Sequence, residues 1–319
     1  MKIIRNTASF ALVLTMAFGL VAATDAQSVE QLQVEAVNDF VIGPGKAEIV
    51  VEPGDSANRE LRVTSRIPGT TTFSLTVEDF TGSDDPNQTV QLLGDQEGPY
   101  SLRDFVELPV QEFTLEFGER ITLPINVNVP DDIEPGGRYG AIIVSNAPSR
   151  VADETEGAGA VIVSRLGSLF LVRVDGEINE DGQLTDFRIS GDESVYTDSH
   201  PEQFEILFEN NGSVHLVPYG LIEIKNLFGS VVDTIPVDAY FALPDSQRSQ
   251  VIEWTDAPTM FGYYKAELNL SRGYDDLSDE LSLGFWILPW QPIVIGLLII
   301  VLLAVLITVV GKKFEIKRK

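Results

Sequence analysis

The chain of 319 residues carries 22 Lys and Arg against 48 Asp and Glu, a formal net charge of −26, and no cysteine. So acidic a chain is a poor match for nucleic acid or anionic headgroups. The missing thiol excludes a disulfide framework, a thiolate metal site and a cysteine nucleophile.

Residues 1–26 read as a secretory signal peptide. Lys2 and Arg5 form the charged start, Phe10–Ala23 is an apolar run, and cleavage fits after Ala23 or Ala26. From there the period is two. Ala47–Val51, Glu60–Thr64, Thr72–Glu78, Phe113–Phe117, Ile121–Val129 and Tyr139–Ser145 are short and rich in β-branched or aromatic residues. Turn signals bound them at Glu52-Pro53-Gly54-Asp55, Ile67-Pro68-Gly69 and Glu134-Pro135-Gly136-Gly137. Residues 147–159 (APSRVADETEGAG) read as a long hairpin loop, and Ala160–Val174 as a closing strand pair or one bent strand. That places a first sandwich at 29–176, with a boundary near residue 155 as the competing division.

The second region, 177–284, repeats the pattern. Its strands are expected at Gln183–Ser190, Phe204–Glu209, Gly220–Lys225, Val231–Val237, Gln250–Trp254 and Tyr263–Leu270. Gly262-Tyr263-Tyr264 echoes Gly137-Arg138-Tyr139. The fold class is therefore all-β: two tandem immunoglobulin-like sandwiches.

Residues 285–311 form a juxtamembrane segment and a transmembrane helix. Ile293–Val310 is eighteen residues without a charge, about 27 Å at a helical rise of about 1.5 Å. Trp286 and Trp290 suit a membrane interface, and the tail 312–319 is basic (Lys312, Lys313, Lys317, Arg318, Lys319), the bias of a cytoplasmic end. The expected location is the cell membrane, single-pass, with both domains outside. Leu288-Pro289-Trp290-Gln291-Pro292 departs from the L-P-x-T-G pattern of covalent wall anchoring, which implies a permanent span.

No constellation for catalysis emerges. His200 and His215 are alone, and there is no G-x-S-x-G, H-E-x-x-H or phosphate-binding G-x-x-x-x-G-K. No catalytic, cofactor-binding or metal-ligating residue is singled out, and no cofactor is expected. Calcium is conceivable at 83–87 (SDDPN) or 275–280 (DDLSDE), although neither has the oxygen spacing of a dedicated loop.

Phe40–Pro44 (FVIGP), the Glu52-Pro53-Gly54 turn and Pro135–Ile143 (PGGRYGAII) resemble the peptidoglycan-binding domain of the WxL-interacting proteins of Gram-positive bacteria. The layout of signal, two domains, span and basic tail is similar too. The resemblance implies a non-enzymatic cell-surface protein that contacts wall polymer and surface proteins. A second expectation is a membrane-anchored, chaperone-like factor that donates a sheet edge to a secreted subunit. A third is an exported carbohydrate-active enzyme with two carboxylates facing one cleft.

Overall fold

A computed structural model describes residues 28–83, 88–146, 163–191, 193–197, 200–255 and 257–315. The expected signal peptide, the first candidate calcium loop apart from Ser83, and the whole of the long hairpin loop 147–159 lie outside these residues.

Among the described residues the first sandwich has eleven strands: β1 (Ser28–Gln31), β2 (Phe40–Gly43), β3 (Lys46–Val51), β4 (Ser56–Ser65), β5 (Thr70–Gly82), β6 (Val90–Leu92), β7 (Val106–Glu107), β8 (Glu112–Glu116), β9 (Glu119–Asn128), β10 (Gly136–Asn146) and β11 (Arg165–Val174). One sheet runs β1-β9-β4-β2 with β7 beside β9; the other runs β3-β11-β10-β5-β6 with β8 beside β5. Alternation drives the packing. In β3 the side chains of Ala47, Ile49 and Val51 point into the core while Lys46, Glu48 and Val50 point out. The core also takes Leu61, Phe73, Leu123, Ile142 and Phe170.

The second, again among the described residues, has eight strands: β12 (Gly182–Ile189), β13 (Val195–Tyr196), β14 (Gln203–Asn210), β15 (Tyr219–Asn226), β16 (Val231–Val237), β17 (Ser246–Glu253), β18 (Gly262–Ser271) and β19 (Ser278–Ile287). Its sheets are β12-β14-β17 and β13-β19-β18-β15-β16. The two sandwiches share one plan. In each, an early strand lies parallel to the last one, β3 to β11 and β13 to β19, and all other pairings are antiparallel. That order is the immunoglobulin-like one.

One expectation changes. Leu281–Gln291 is not a spacer: β19 runs through Ile287, so a domain end at 284 cuts a strand. Of the two readings of Ala160–Val174, the described residues show one strand, β11, from Arg165 onward.

The helix α1 spans Trp290–Glu315. Among the described residues, no helix is long and apolar enough to cross a membrane.

Candidate functional site

β10 reads YGAIIVS without polar alternation because both of its faces are covered. Ile142 and Val144 point into the first core. Tyr139, Ala141 and Ile143 point the other way, and with Phe80 and Leu171 they close over Leu243 of the second sandwich. The result is an apolar joint between the sandwiches.

Polar groups hold the joint's geometry. The Tyr139 hydroxyl accepts the His215 backbone N–H at 2.7 Å, and the two rings meet edge to face at 5.8 Å. Gly137 N–H donates to the Ser213 carbonyl at 2.8 Å. The Tyr100 hydroxyl donates to Asp245 at 2.7 Å, and Arg248 donates to the Thr89 hydroxyl at 3.0 Å. Asn210 is wholly buried; its amide donates to the carbonyls of Val214 and Ala242, and its oxygen accepts the Gly212 N–H. Close approach requires glycine at position 82, where a Cβ would lie 2.5 Å from Ser246 Cβ.

The joint shifts its titratable groups. Burial holds the His215 imidazole down at about 4, with Lys46 and Arg173 adding to the effect against an opposing pull from Glu48. Burial, helped by Asp245, pushes the Tyr100 phenol up to about 12. Burial also raises Tyr139 well above the usual phenol range. These groups stay neutral around pH 7, which suits packing rather than proton transfer.

The second feature is an open strand edge. β11 is paired with β10 along its whole length, but with β3 only from Leu169 to Val174. Leu169 and Asp175 donate their N–H groups toward β3, to Gly45 and Val51. Strand alternation therefore aims the N–H and C=O groups of Arg165 and Gly167 the same way, where no strand meets them among the described residues. Arg165, Leu166 and Gly167 are exposed, and Val163 just before them is 47% exposed. The hairpin stays in register to its described end, since Ser164 N–H donates to the Asn146 side chain at 2.7 Å and Asn146 N–H to Ser164 O at 3.2 Å. Arg165 pairs with Glu78 on β5, which fixes the edge from the neighbouring strands.

The expected chemistry sites do not assemble. Asp275 and Asp276 sit in a left-handed turn, and Asp279 is taken by Arg272 at 2.5 Å and by the Leu184 N–H at 2.9 Å. The second candidate calcium loop is thus a structural turn, and among the described residues no group of three or more His, Asp or Glu could hold a metal ion. Among the described carboxylates only Asp79 is fully buried; it accepts the N–H groups of Gly98, Leu102 and Arg103 and so anchors a loop. His200 packs against Trp254 with the rings tilted and their centroids 4.9 Å apart, and its Nδ1 lies 2.8 Å from the Pro201 carbonyl. A shallow depression on the outer face of the second sandwich is lined by the alternating charges of Glu223, Lys225, Lys265 and Glu267. There Lys225 bridges Glu223 at 2.9 Å and Glu267 at 2.5 Å.

No family model matches the sequence, and no curated protein matches it. Among solved structures, similar chains come from a chaperone–tip adhesin complex of CFA/I fimbriae (13% identity over 79% of this chain and 99% of that one, TM-score 0.37). Others are the class 5 fimbriae chaperone CfaA (13%, 79% and 100%, 0.35) and a chain of the CsuC–CsuE pre-assembly complex from Csu pili of Acinetobacter baumannii (12%, 79% and 99%, 0.36). At this level of likeness the architecture rests on the strand order itself.

Proposed function

We propose that this chain is a non-enzymatic, membrane-anchored binding protein that takes a strand of a protein partner onto the open edge of β11. The observation that carries the reading is that, among the described residues, no strand covers the edge at Arg165 and Gly167, beside exposed Val163 and Leu166. Unpaired strand edges are ready templates for another chain, with backbone bonds giving affinity and alternate side chains giving choice. This favours the sheet-edge reading over wall-polymer binding, which rests on the resemblance alone. The enzyme reading needs two carboxylates free to act in one cleft; Glu223 and Glu267 share a depression, but Lys225 bridges both.

The anchor is the second half of the proposal. Fourteen large apolar side chains of α1 between Val294 and Val310 are exposed, a helix apolar all round. Ile293 completes an uncharged run of eighteen in the sequence. With the basic tail behind it, such a helix belongs in a bilayer with the sandwiches outside.

The chain has no native cysteine, so Leu166→Cys offers a unique cross-linking site. In cells of the native host, a cross-linker at this position is expected to yield one discrete protein adduct. Adding Arg165→Pro, which removes an outward N–H, is expected to abolish that adduct with little change in melting temperature. Retention of the full chain on purified wall polymer, with no adduct, would replace this reading by the wall-binding one.

A further inference from the structure

The second sandwich carries its most exposed aromatic residues at one end. Phe228 is 89% exposed, Leu227 69% and Phe261 64%. They lie far apart in sequence, but the strand register gathers them. Ile287, the last residue of β19, faces Gly262 on β18, and Tyr264 of β18 faces Asn226 at the end of β15. The β15–β16 hairpin tip then runs two residues past Asn226, which brings Phe228 level with Gly262 and Ile287 at about 3.3 Å per residue. Three residues beyond Ile287 the chain becomes α1. The order β19-β18-β15-β16 sets the hairpin tip roughly 10–14 Å to the side of β19 at about 4.8 Å per strand.

These side chains are held outward by built turns. In the hairpin tip the Asn226 side chain accepts the N–H groups of Phe228 (3.0 Å) and Ser230 (3.1 Å), and Gly229 takes a φ of 79°. At the other site the Tyr264 hydroxyl accepts the Phe261 N–H at 3.1 Å. Trp286 and Trp290 are half exposed at the same end, with Tyr263 edge-on to Trp286 at 5.3 Å. The helix start is not tethered loosely: Leu288 N–H donates to Tyr196 O and Trp290 N–H to Thr197 O.

We propose that this end of the second sandwich is a membrane-docking surface, with Phe228 and Phe261 inserted into the interfacial layer of the bilayer beside the helix. The proposal rests on the anchor reading. The occupant follows from the geometry: a helix that enters a bilayer at Trp290 places that bilayer directly under residues at the level of Ile287. Aromatic and aliphatic side chains favour the headgroup–acyl boundary, to a depth of about 5–10 Å. The outer face above them carries balanced charges, and Glu202 and Glu253 of the other sheet lie near the same end. The contact is therefore apolar and does not depend on anionic lipid. Docking fixes the sandwiches' orientation on the membrane and so the height at which the β11 edge stands.

The test uses the full chain in phosphatidylcholine vesicles with an environment-sensitive fluorophore on single cysteines at Phe228, Phe261, Tyr219 and Val305. Tyr219 is an exposed control at the far end of β15, and Val305 reports the helix. Lipids bearing a shallow spin-label quencher are expected to quench the labels at 228 and 261 several-fold more than the label at 219, equally in 0.1 and 1 M salt. Quenching at 305 by a deep quencher, with 228 and 261 no more quenched than 219, overturns the docking surface and leaves the anchor standing. No quenching at 305 overturns both. A blue shift at 228 without lipid quenching assigns the patch to a second copy of the chain, and loss of quenching in high salt assigns the contact to charge; either result overturns the proposal.

Discussion

The two sandwiches share a strand plan but use their closing strands differently. In the first, β11 begins with three exposed residues, its uncovered edge carries Arg165 and Gly167, and the outer face behind it is buried against the second sandwich. In the second, among the described residues, β19 is open for longer, since β13 pairs with Trp286 and Ile287 alone. Its free stretch starts Ser278-Asp279-Glu280, and Asp279 is engaged with Arg272 and Leu184. Charges placed on an edge discourage pairing. The comparison teaches that topology creates an open edge in both places, while side chains decide which edge is available.

The penultimate strands differ in the same way. Both open with Gly-x-Tyr. Tyr139 sends its hydroxyl across to the second sandwich, whereas the Tyr264 hydroxyl turns back onto its own loop at Phe261. One sequence signal thus yields a joint in one place and a loop clamp in the other.

Breaking the joint is expected to have the largest effect. Leu243 is buried in the cluster that joins the sandwiches, and Leu243→Ala is expected to cost about 2–5 kcal/mol. Chemical denaturation of the full chain would show this as a split into two transitions; the internal counterpart Leu268→Ala, with a similar cost, would not uncouple the sandwiches.

Acid is the next probe. His215 titrates at about 4 in the folded protein, below the ordinary 6.5. Its contribution is complete above pH 6.5 and falls away as pH drops toward 4, by up to about 3 kcal/mol. Melting curves from pH 7 to 4 should fall more steeply for the native chain than for His215→Gln, which has no imidazole to protonate; parallel curves would remove His215 from the joint.

The two tyrosines sharpen the comparison further. Tyr139→Phe leaves the His215 N–H without its partner and is expected to cost about 1–3 kcal/mol. Tyr264→Phe affects one loop end and is expected to cost about 1 kcal/mol or less. Equal losses by thermal denaturation would contradict the joint role. The smallest effect is expected on the outer face of the second sandwich: Glu267→Gln, in an exposed network with Lys225 and Lys265, should leave the melting temperature unchanged within error.

Much of this was legible in the sequence. Each of the twelve expected strands falls on an observed one, most of them because inward residues such as Ala47, Ile49 and Val51 meet a core on one face only. β19 was not read, because SDELSLGF opens on acids and its Trp286 suits an interface equally well. The joint was hidden for a physical reason. The unbroken run Tyr139–Ser145 signals burial on both faces but does not name what covers the second one, and Leu243 sits in a loop with no periodicity. The open edge depends on how far β3 reaches along β11, a matter of register that residue types do not encode. The aromatics Phe228 and Phe261 are isolated in the sequence, and only strand pairing aligns them.

Residue-resolved amide hydrogen exchange on the isolated full chain tests the central claim most directly. The open edge predicts that the Arg165 and Gly167 amides exchange near the rate of an unprotected chain while Leu169, Leu171 and Arg173, covered by β3, exchange slowly. Equal protection across all five amides would mean that the edge is already occupied, and would contradict its role as a docking strand.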